Sequence, residues 1–191
     1  PVEPVERVNG HDEPLRRTRE STERFEMTLA RDSVRTIGLF VLVLVGLELV
    51  YVFTNQSAPM VTLTQATAQV VTWMLALMGE LVRIDGTVIY SPQFNMSIAS
   101  ECTAITPTIV LAAATFAVPA PLVSKLKGVI LGACVLHTVN LLRIISLYYV
   151  GVMWPDMVEF VHLVLWQVAL IVLAVALWVF WAQRFRRDHA N

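Results

Sequence analysis

Three reactive side chains, Cys102, Arg143 and His162, each lie near one end of a different long apolar segment. If these segments cross a membrane in alternating directions, all three ends face the same side, where a thiol, a guanidinium and an imidazole can meet. A cysteine attacks as the thiolate, which a neighbouring imidazole or a helix N-terminus favours. The pattern predicts a membrane-embedded cysteine enzyme. His162 would be the general base toward Cys102 and then the general acid toward a leaving amine, and the permanently charged Arg143 would hold an oxyanion.

Three further polar residues have candidate supporting roles. Asn140 lies three residues before Arg143, so it could orient the guanidinium or hold neighbouring helices together. Glu159 lies three residues before His162 and could fix its tautomer, although a solvated carboxylate at the interface is the alternative. Glu101 directly precedes the cysteine. We therefore predict Asn140, Glu159 and Glu101 as supporting residues.

Some reactive residues have an ordinary structural interpretation. Cys134 lies about 13 Å deeper than Arg143 on the same segment and is predicted to be a small buried hydrophobic residue. His137 competes with His162, but it lies about 9 Å deeper than Arg143, too far from Cys102. An intramembrane arginine is a functional candidate by default, although Arg143 could instead pair with Glu48 for structural reasons.

The elements that position these residues follow from hydropathy. The chain has 191 residues, of which 56% are hydrophobic and 15% charged, which is typical of an integral membrane protein. Runs long enough to cross a hydrocarbon core of about 30 Å occur at 34–54, 103–123, 128–151 and 157–181. A further run, 61–82, is interrupted by Thr, Gln and Glu residues and predicts an interfacial or partly buried helix. The predicted fold is an all-α membrane protein, a bundle of about four transmembrane helices plus this helix.

A small external β-hairpin-like element is predicted between the first two spans. Asp85 and Gly86 form a hairpin turn signal, and Phe94, Met96 and Ile98 alternate with polar residues. This stretch leads directly to the cysteine and could fix it at the mouth of its helix. Its edge strand could also pair with an extended substrate peptide.

The distribution of basic residues predicts the topology. Arg residues are frequent before the first span, Lys125 and Lys127 lie in the third connection, and three Arg residues follow the last span. Short cytoplasmic segments collect such residues, so both termini are predicted to be cytoplasmic, with 55–102 and 152–156 outside. Residues 1–33 are predicted to be a flexible charged cytoplasmic tail without a nucleic-acid role, 34–182 the integral-membrane domain, and 183–191 a basic cytoplasmic tail.

The predicted depths of the three reactive residues agree with one another. Cys102 opens the second span at the outer surface, and His162 lies one to two turns below the outer start of the fourth. Arg143 lies about 12 Å below Gly151, and its long side chain can extend upward toward the interface. All three can therefore converge in the outer leaflet.

Three segments together resemble the exosortase/archaeosortase family over roughly residues 60–182. They are Glu101-Cys102-Thr103-Ala104, the stretch from Asn140 to Arg143 and Ile144, and Phe160-Val161-His162. The resemblance implies a multi-spanning membrane cysteine peptidase, regarded as a transpeptidase, with a Cys, Arg and His or Arg triad that corresponds to Cys102, Arg143 and His162. A His in third place is similar to the bacterial exosortases. Two departures are Ala104, where a Gly is usual, and a smaller number of spans.

The resemblance implies a function at the bacterial inner membrane. The enzyme would cleave C-terminal sorting signals of exported proteins at the outer face, each signal combining a short motif, a transmembrane helix and a basic cluster, as PEP-CTERM tails do. The expected partners are these proteins, membrane lipid and an acceptor nucleophile of unknown identity, with no nucleic acid. No metal or organic cofactor is implied. The alternatives are a non-catalytic helical membrane subunit and a module that binds sorting signals without cutting them.

Overall fold

The structure, a computed structural model, describes residues 12–190 of the chain. Within that range it is largely helical with one small antiparallel sheet, which confirms the predicted all-α membrane fold class. In chain order the elements are α1 (Asp12–Thr54), α2 (Ala58–Leu77), β1 (Arg83–Asp85), β2 (Val88–Tyr90), β3 (Met96–Ser97), a 3-10 turn (Ser100–Thr103), α3 (Ile105–Ala117), α4 (Leu122–Met153), a 3-10 turn (Pro155–Met157), α5 (Val158–Phe160), a π-helical segment (Val161–Trp166) and α6 (Gln167–Ala190).

The first helix begins at Asp12, earlier than the sequence predicts. Residues 12–33, for which a flexible tail was expected, are helical. Residues 15–37 contain neither Gly nor Pro, and the Leu, Arg and Glu residues among them favour helix. The first part of the predicted flexible tail, residues 1–11, lies outside the described residues, as does Asn191.

Four helical stretches of the described chain are long and apolar enough to cross a membrane. They are Ala30–Thr54, Ala58–Leu77, Leu122–Met153 and Pro155–Phe185. Three of them correspond to predicted spans, but the predicted span 103–123 forms only the 13-residue helix α3, which is about 20 Å long. Pro119 ends this helix, because a residue that precedes proline is driven out of the helical region, and Val118 is extended.

The second helix runs in the same direction as α4 and packs on its C-terminal half. Thr67 of α2 and Asn140 of α4 line one cavity. Farther along both helices, the Tyr148 hydroxyl donates a hydrogen bond to Glu80, just beyond α2. Ala68, Val71 and Leu75 of α2 are fully buried in the same apolar cluster as Tyr148.

The end of α1 lies at the level of the reactive cysteine. Tyr51, three residues before the end of α1, is close enough to Cys102 to interact with it electrostatically, and its buried hydroxyl has no hydrogen-bond partner among the described residues. A connection of only three residues, 55–57, leads from α1 into α2. The sequence predicts an interfacial or partly buried helix for 61–82, whereas α2 is long and apolar enough to cross a membrane.

The three-stranded sheet covers the C-terminal end of α4. Strand β1 pairs with β2, and β2 pairs with β3, all antiparallel. The first hairpin has a two-residue loop, Gly86–Thr87, one residue later than the predicted turn because Asp85 still pairs with Val88, and Gly86 has a φ of +60°. The Phe94 ring lies so close to Gly151 of α4 that a Cβ there would fall 2.4 Å from it. This contact fixes the sheet, and the chain that leaves it toward the cysteine, against α4.

Helices α3, α4 and α6 form the rest of the apolar core. Leu111, Leu136, Leu170 and Ala174, one or two from each helix, are buried together. Gly132 of α4 permits close contact with α3, because a Cβ at this position would lie 2.3 Å from a methyl carbon of Leu111. Both α3 and the last helix run antiparallel to α4, so their N-terminal ends meet beside the region around residues 140–146.

Candidate active site

The reactive cysteine lies in a tight turn immediately before α3. Cys102 is half-buried, and its backbone N–H donates to the carbonyl of Ala99 at 2.9 Å. Thr103, which is fully buried, donates its hydroxyl to the carbonyl of Ser100 at 2.6 Å. Ala104 then adopts a left-handed conformation with φ 56° before the helix begins. This is the position at which the sequence departs from the Gly of the family it resembles, and the turn forms with Ala in place.

The cysteine and His162 face each other across the bundle. The Cys102 Sγ atom lies 3.8 Å from His162 Nε2, within hydrogen-bonding range for sulfur. His162 is half-buried in the π-helical segment, a local widening that is common at functional sites. One turn later Trp166 Nε1 donates to the Ser146 hydroxyl at 2.9 Å, and this hydroxyl donates to the carbonyl of Arg143 at 2.7 Å. The irregular segment is therefore held to α4 beside the imidazole.

Arg143 is joined to the cysteine through Asn140. Both side chains are buried, with 3% and 1% of their surfaces exposed. The Asn140 side-chain amide donates to the backbone carbonyl of Cys102, and its oxygen accepts from Arg143 Nη1 at 3.3 Å. The Nε atom of Arg143 is buried and has no hydrogen-bond partner among the described residues. The site therefore holds a guanidinium with an unused donor next to the thiol.

Of the other predicted supporting residues, Glu101 is close enough to His162 to interact with it electrostatically, whereas no contact of Glu159 with the network is seen in the described part of the chain. Glu101 and Glu159 are exposed, and neither forms a hydrogen bond to His162 in the described part of the chain. Arg143 forms no ion pair with Glu48 there, so the structural pairing considered from sequence is not observed.

His137 and Cys134 do not reach the thiol. His137 bonds through Nδ1 to the carbonyl of Ala133 at 2.9 Å and lines a cavity of about 190 Å³ next to Asn140. Cys134 is exposed on the outer face of α4, so its predicted burial is wrong. The buried face of this helix carries Gly132, Leu136 and Asn140 instead, and residue 134 points away from it.

Sequence reasoning missed three residues around the site. Trp166 and Ser146 hold the π-helical segment on α4, and Tyr51 brings the end of α1 beside the cysteine. Trp166 lies four residues after His162, so a helical projection would have placed both on one face. No signal in the sequence marks Tyr51, because its proximity depends on the path of a separate helix.

The arrangement can support acyl transfer. It contains a thiol within reach of an imidazole, and a buried guanidinium with a free N–H group close to both. Among the described residues there is no group of three or more His, Cys, Asp or Glu side chains that could hold a metal ion.

Comparison with known proteins gives a family match. The family model described as Transmembrane exosortase (Exosortase_EpsH) matches residues 25–179, which include Cys102, Asn140, Arg143 and His162. No curated protein and no solved structure matches the chain.

Proposed function

The chain belongs to the transmembrane exosortase family, and from that premise we propose that it is a membrane-embedded cysteine protease or transpeptidase. It would cleave the C-terminal sorting signals of exported proteins. The observation that carries the proposal is the 3.8 Å approach of Cys102 Sγ to His162 Nε2 beside the buried Arg143. A thiol, a base and a cationic oxyanion partner are the groups that acyl transfer through a thioester needs.

The first half of the reaction uses all three groups. His162 Nε2 takes the proton of the Cys102 thiol, and the thiolate attacks the scissile carbonyl carbon to form a C–S bond. The carbonyl oxygen gains the negative charge, and the unused Nε–H of Arg143 is a suitable donor to it. When this intermediate collapses, the C–N bond breaks, and the leaving amine takes the proton from His162. A thioester on Cys102 remains.

The second half restores the enzyme. An amine acceptor or water attacks the thioester carbonyl while His162 removes its proton. The tetrahedral intermediate again places its charge next to Arg143, and the C–S bond then breaks. The thiolate recovers the proton from the imidazole. Transfer to an amine gives a transpeptidase, and transfer to water gives a protease.

Asn140 has a positioning role in this proposal. It bonds to the backbone of the nucleophile through its amide and to the guanidinium through its oxygen. A single rigid side chain therefore sets the distance between the attacking sulfur and the group that receives the oxyanion. Such positioning contributes strongly to rate, because small displacements of reacting groups are costly.

The proposed location is the bacterial inner membrane with the site toward the outer face. The basic ends of the chain and Lys125 and Lys127 support cytoplasmic termini by the positive-inside rule. Arg143 lies ten residues before the end of α4, about 15 Å along its axis, so the site lies in the C-terminal half of this helix. A substrate helix could lie in the bilayer with its cleavage motif at that depth.

The test is tail processing in cells that co-express the chain with an exported protein ending in a short motif, a transmembrane helix and a basic cluster. Cys102→Ala, Arg143→Ala and His162→Ala, each at matched membrane levels, are expected to abolish tail loss. Cys134→Ala is the matched control, since it removes the other, exposed thiol and should leave processing unchanged.

The outcomes separate the proposal from its alternatives. Normal processing by Cys102→Ala would contradict the cysteine mechanism. If intact substrate co-purifies with the unmutated protein as well as with Cys102→Ala, the chain captures sorting signals without cutting them. If Arg143→Ala fails only because the protein does not accumulate, Arg143→Lys, which keeps the charge but not the planar donor geometry, should accumulate and still lose most activity.

A further inference from the structure

A groove opens between α4 and α6 at the end of the bundle remote from the cysteine. Its volume is about 510 Å³, and residues of both helices line it, from Ser124 to Val135 and from Leu177 to Phe185. Lys127, at one side of the groove, lies 16 residues before Arg143, about 24 Å along α4. The groove is therefore separate from the proposed catalytic site and lies near the opposite membrane interface.

The floor of the groove is fixed by specific contacts. A Cβ at Gly128 would fall 2.5 Å from the Trp181 ring, so only glycine lets the indole lie against α4. The indole Nε1 donates to the carbonyl of Ser124 at 3.1 Å, and the ring stacks on Phe185 with a centroid separation of 5.8 Å. The groove is thus a formed apolar surface rather than a gap between loosely packed side chains.

Two cations border this apolar surface. Lys127 and Arg184 both line the groove, both are exposed, and neither meets a carboxylate among the described residues. The neighbouring Lys125 differs, because its ammonium donates to the carbonyl of Phe116 at 3.0 Å and so completes the end of α3. One lysine of this region thus contributes to the fold itself, and two exposed cations border the apolar groove without a carboxylate partner among the side chains that the structure describes.

We propose that this groove binds an anionic phospholipid. The headgroup phosphate would lie between Lys127 and Arg184, and an acyl chain would follow the apolar wall past Leu131 toward Val135. Basic residues between helices at a membrane interface attract anionic headgroups, and a tryptophan at the same level suits the interfacial region. Charge complementarity selects this occupant, since the basic cluster of a substrate tail would be repelled by the same two cations. The proposal does not depend on the proposed enzymatic function.

The test is native mass spectrometry of the full chain in detergent, titrated with phosphatidylglycerol or with phosphatidylcholine of the same acyl chains. We expect retention of phosphatidylglycerol in preference to phosphatidylcholine. Lys127→Ala and Arg184→Ala should each weaken phosphatidylglycerol binding about fivefold, and the double variant about twenty-five-fold. Arg83→Ala removes one exposed positive charge of β1, away from the groove, and is the matched control that should bind as the unmutated chain does.

Two further variants keep the result interpretable if the alanine variants are unstable. Lys127→Arg keeps the charge and should keep binding, whereas Leu131→Trp keeps both cations and should lower binding by filling the acyl path. Equal retention of the two lipids, or unchanged binding by the double variant, would overturn the proposal. Complete displacement of phosphatidylglycerol by inorganic phosphate would also overturn it in favour of a simple ion site. Tighter binding of a basic tail peptide than of lipid would also overturn the proposal and would indicate a substrate site.

Discussion

Replacement of Asn140 by alanine is the perturbation whose effect can be worked out most fully. Asn140 is 1% exposed, and it donates to the Cys102 carbonyl and accepts from Arg143 Nη1. Asn140→Ala removes both bonds in a place that water does not reach. A neutral hydrogen bond contributes about 0.5–1.5 kcal/mol and one to a charged group about 1.5–3 kcal/mol. The free energy of unfolding should therefore fall by roughly 2–4 kcal/mol.

The same variant should slow catalysis well beyond its effect on stability. Without Asn140 the guanidinium and the nucleophile lose their common anchor, and a displacement of about 1 Å can cost about 100-fold in rate. The assay is a time course of tail cleavage by purified protein in detergent, below the temperature at which the variant unfolds. Thr138→Ala is the control, because Thr138 is an exposed residue on the same helix whose hydroxyl donates to the carbonyl of Cys134 and to no site residue that the structure describes.

Asn140→Asp tests the bond to the Cys102 backbone separately from the bond to the Arg143 guanidinium. The carboxylate can still accept from Arg143, and as an ion pair it does so more strongly, but it cannot donate to the Cys102 carbonyl. If the link to the nucleophile matters, this variant should lose at least as much activity as Asn140→Ala. Tail cleavage by Asn140→Ala or Asn140→Asp within a few-fold of the unmutated rate would refute the positioning role.

Three further predictions test separate parts of the structure. Ala104→Gly should change the free energy of unfolding by less than about 1 kcal/mol, measured by thermal or denaturant unfolding, because the strain relieved at φ 56° is offset by the loss of a buried methyl group, and a decrease of several kcal/mol would contradict this balance. Trp166→Phe removes the bond that holds the π-helical segment to α4, so tail cleavage should slow about tenfold through misplacement of His162, while an unchanged rate would show that the bond is dispensable. Tyr148→Phe should cost about 1–2 kcal/mol of unfolding free energy, because it leaves the partly buried Glu80 without its donor, and Glu80→Gln should cost less than that.

The convergence of the reactive residues could be predicted because depth in a membrane helix follows directly from residue number. A constant rise per residue placed Cys102, Arg143 and His162 near one level, and the structure brings Cys102 and His162 within 3.8 Å of each other. The hairpin was predictable for a similar reason, since Gly86 supplies a backbone conformation that other residues seldom adopt.

Other features depend on contacts between elements that are distant in sequence. The π-helical segment is bonded to α4 through Trp166 and Ser146, and nothing in the sequence from 161 to 166 marks the change from α- to π-helix. Asn140 can bond to both Cys102 and Arg143 only because the turn before α3 packs against α4, and this contact cannot be read from either segment alone. Pro119 and Pro121 indicate that α3 must end early. The predicted span continued past them because hydropathy, which is averaged over many residues, does not respond to single prolines.

The central claim, a thioester on Cys102, is tested most directly by adding hydroxylamine to purified enzyme during cleavage of a tail-bearing substrate and identifying the new C-terminus by mass spectrometry. An acyl-enzyme predicts a hydroxamate product that increases with hydroxylamine concentration at the expense of the carboxylate, and the loss of both products in Cys102→Ala but not in Cys134→Ala. Carboxylate as the sole product at every hydroxylamine concentration, with cleavage retained in Cys102→Ala, would contradict it.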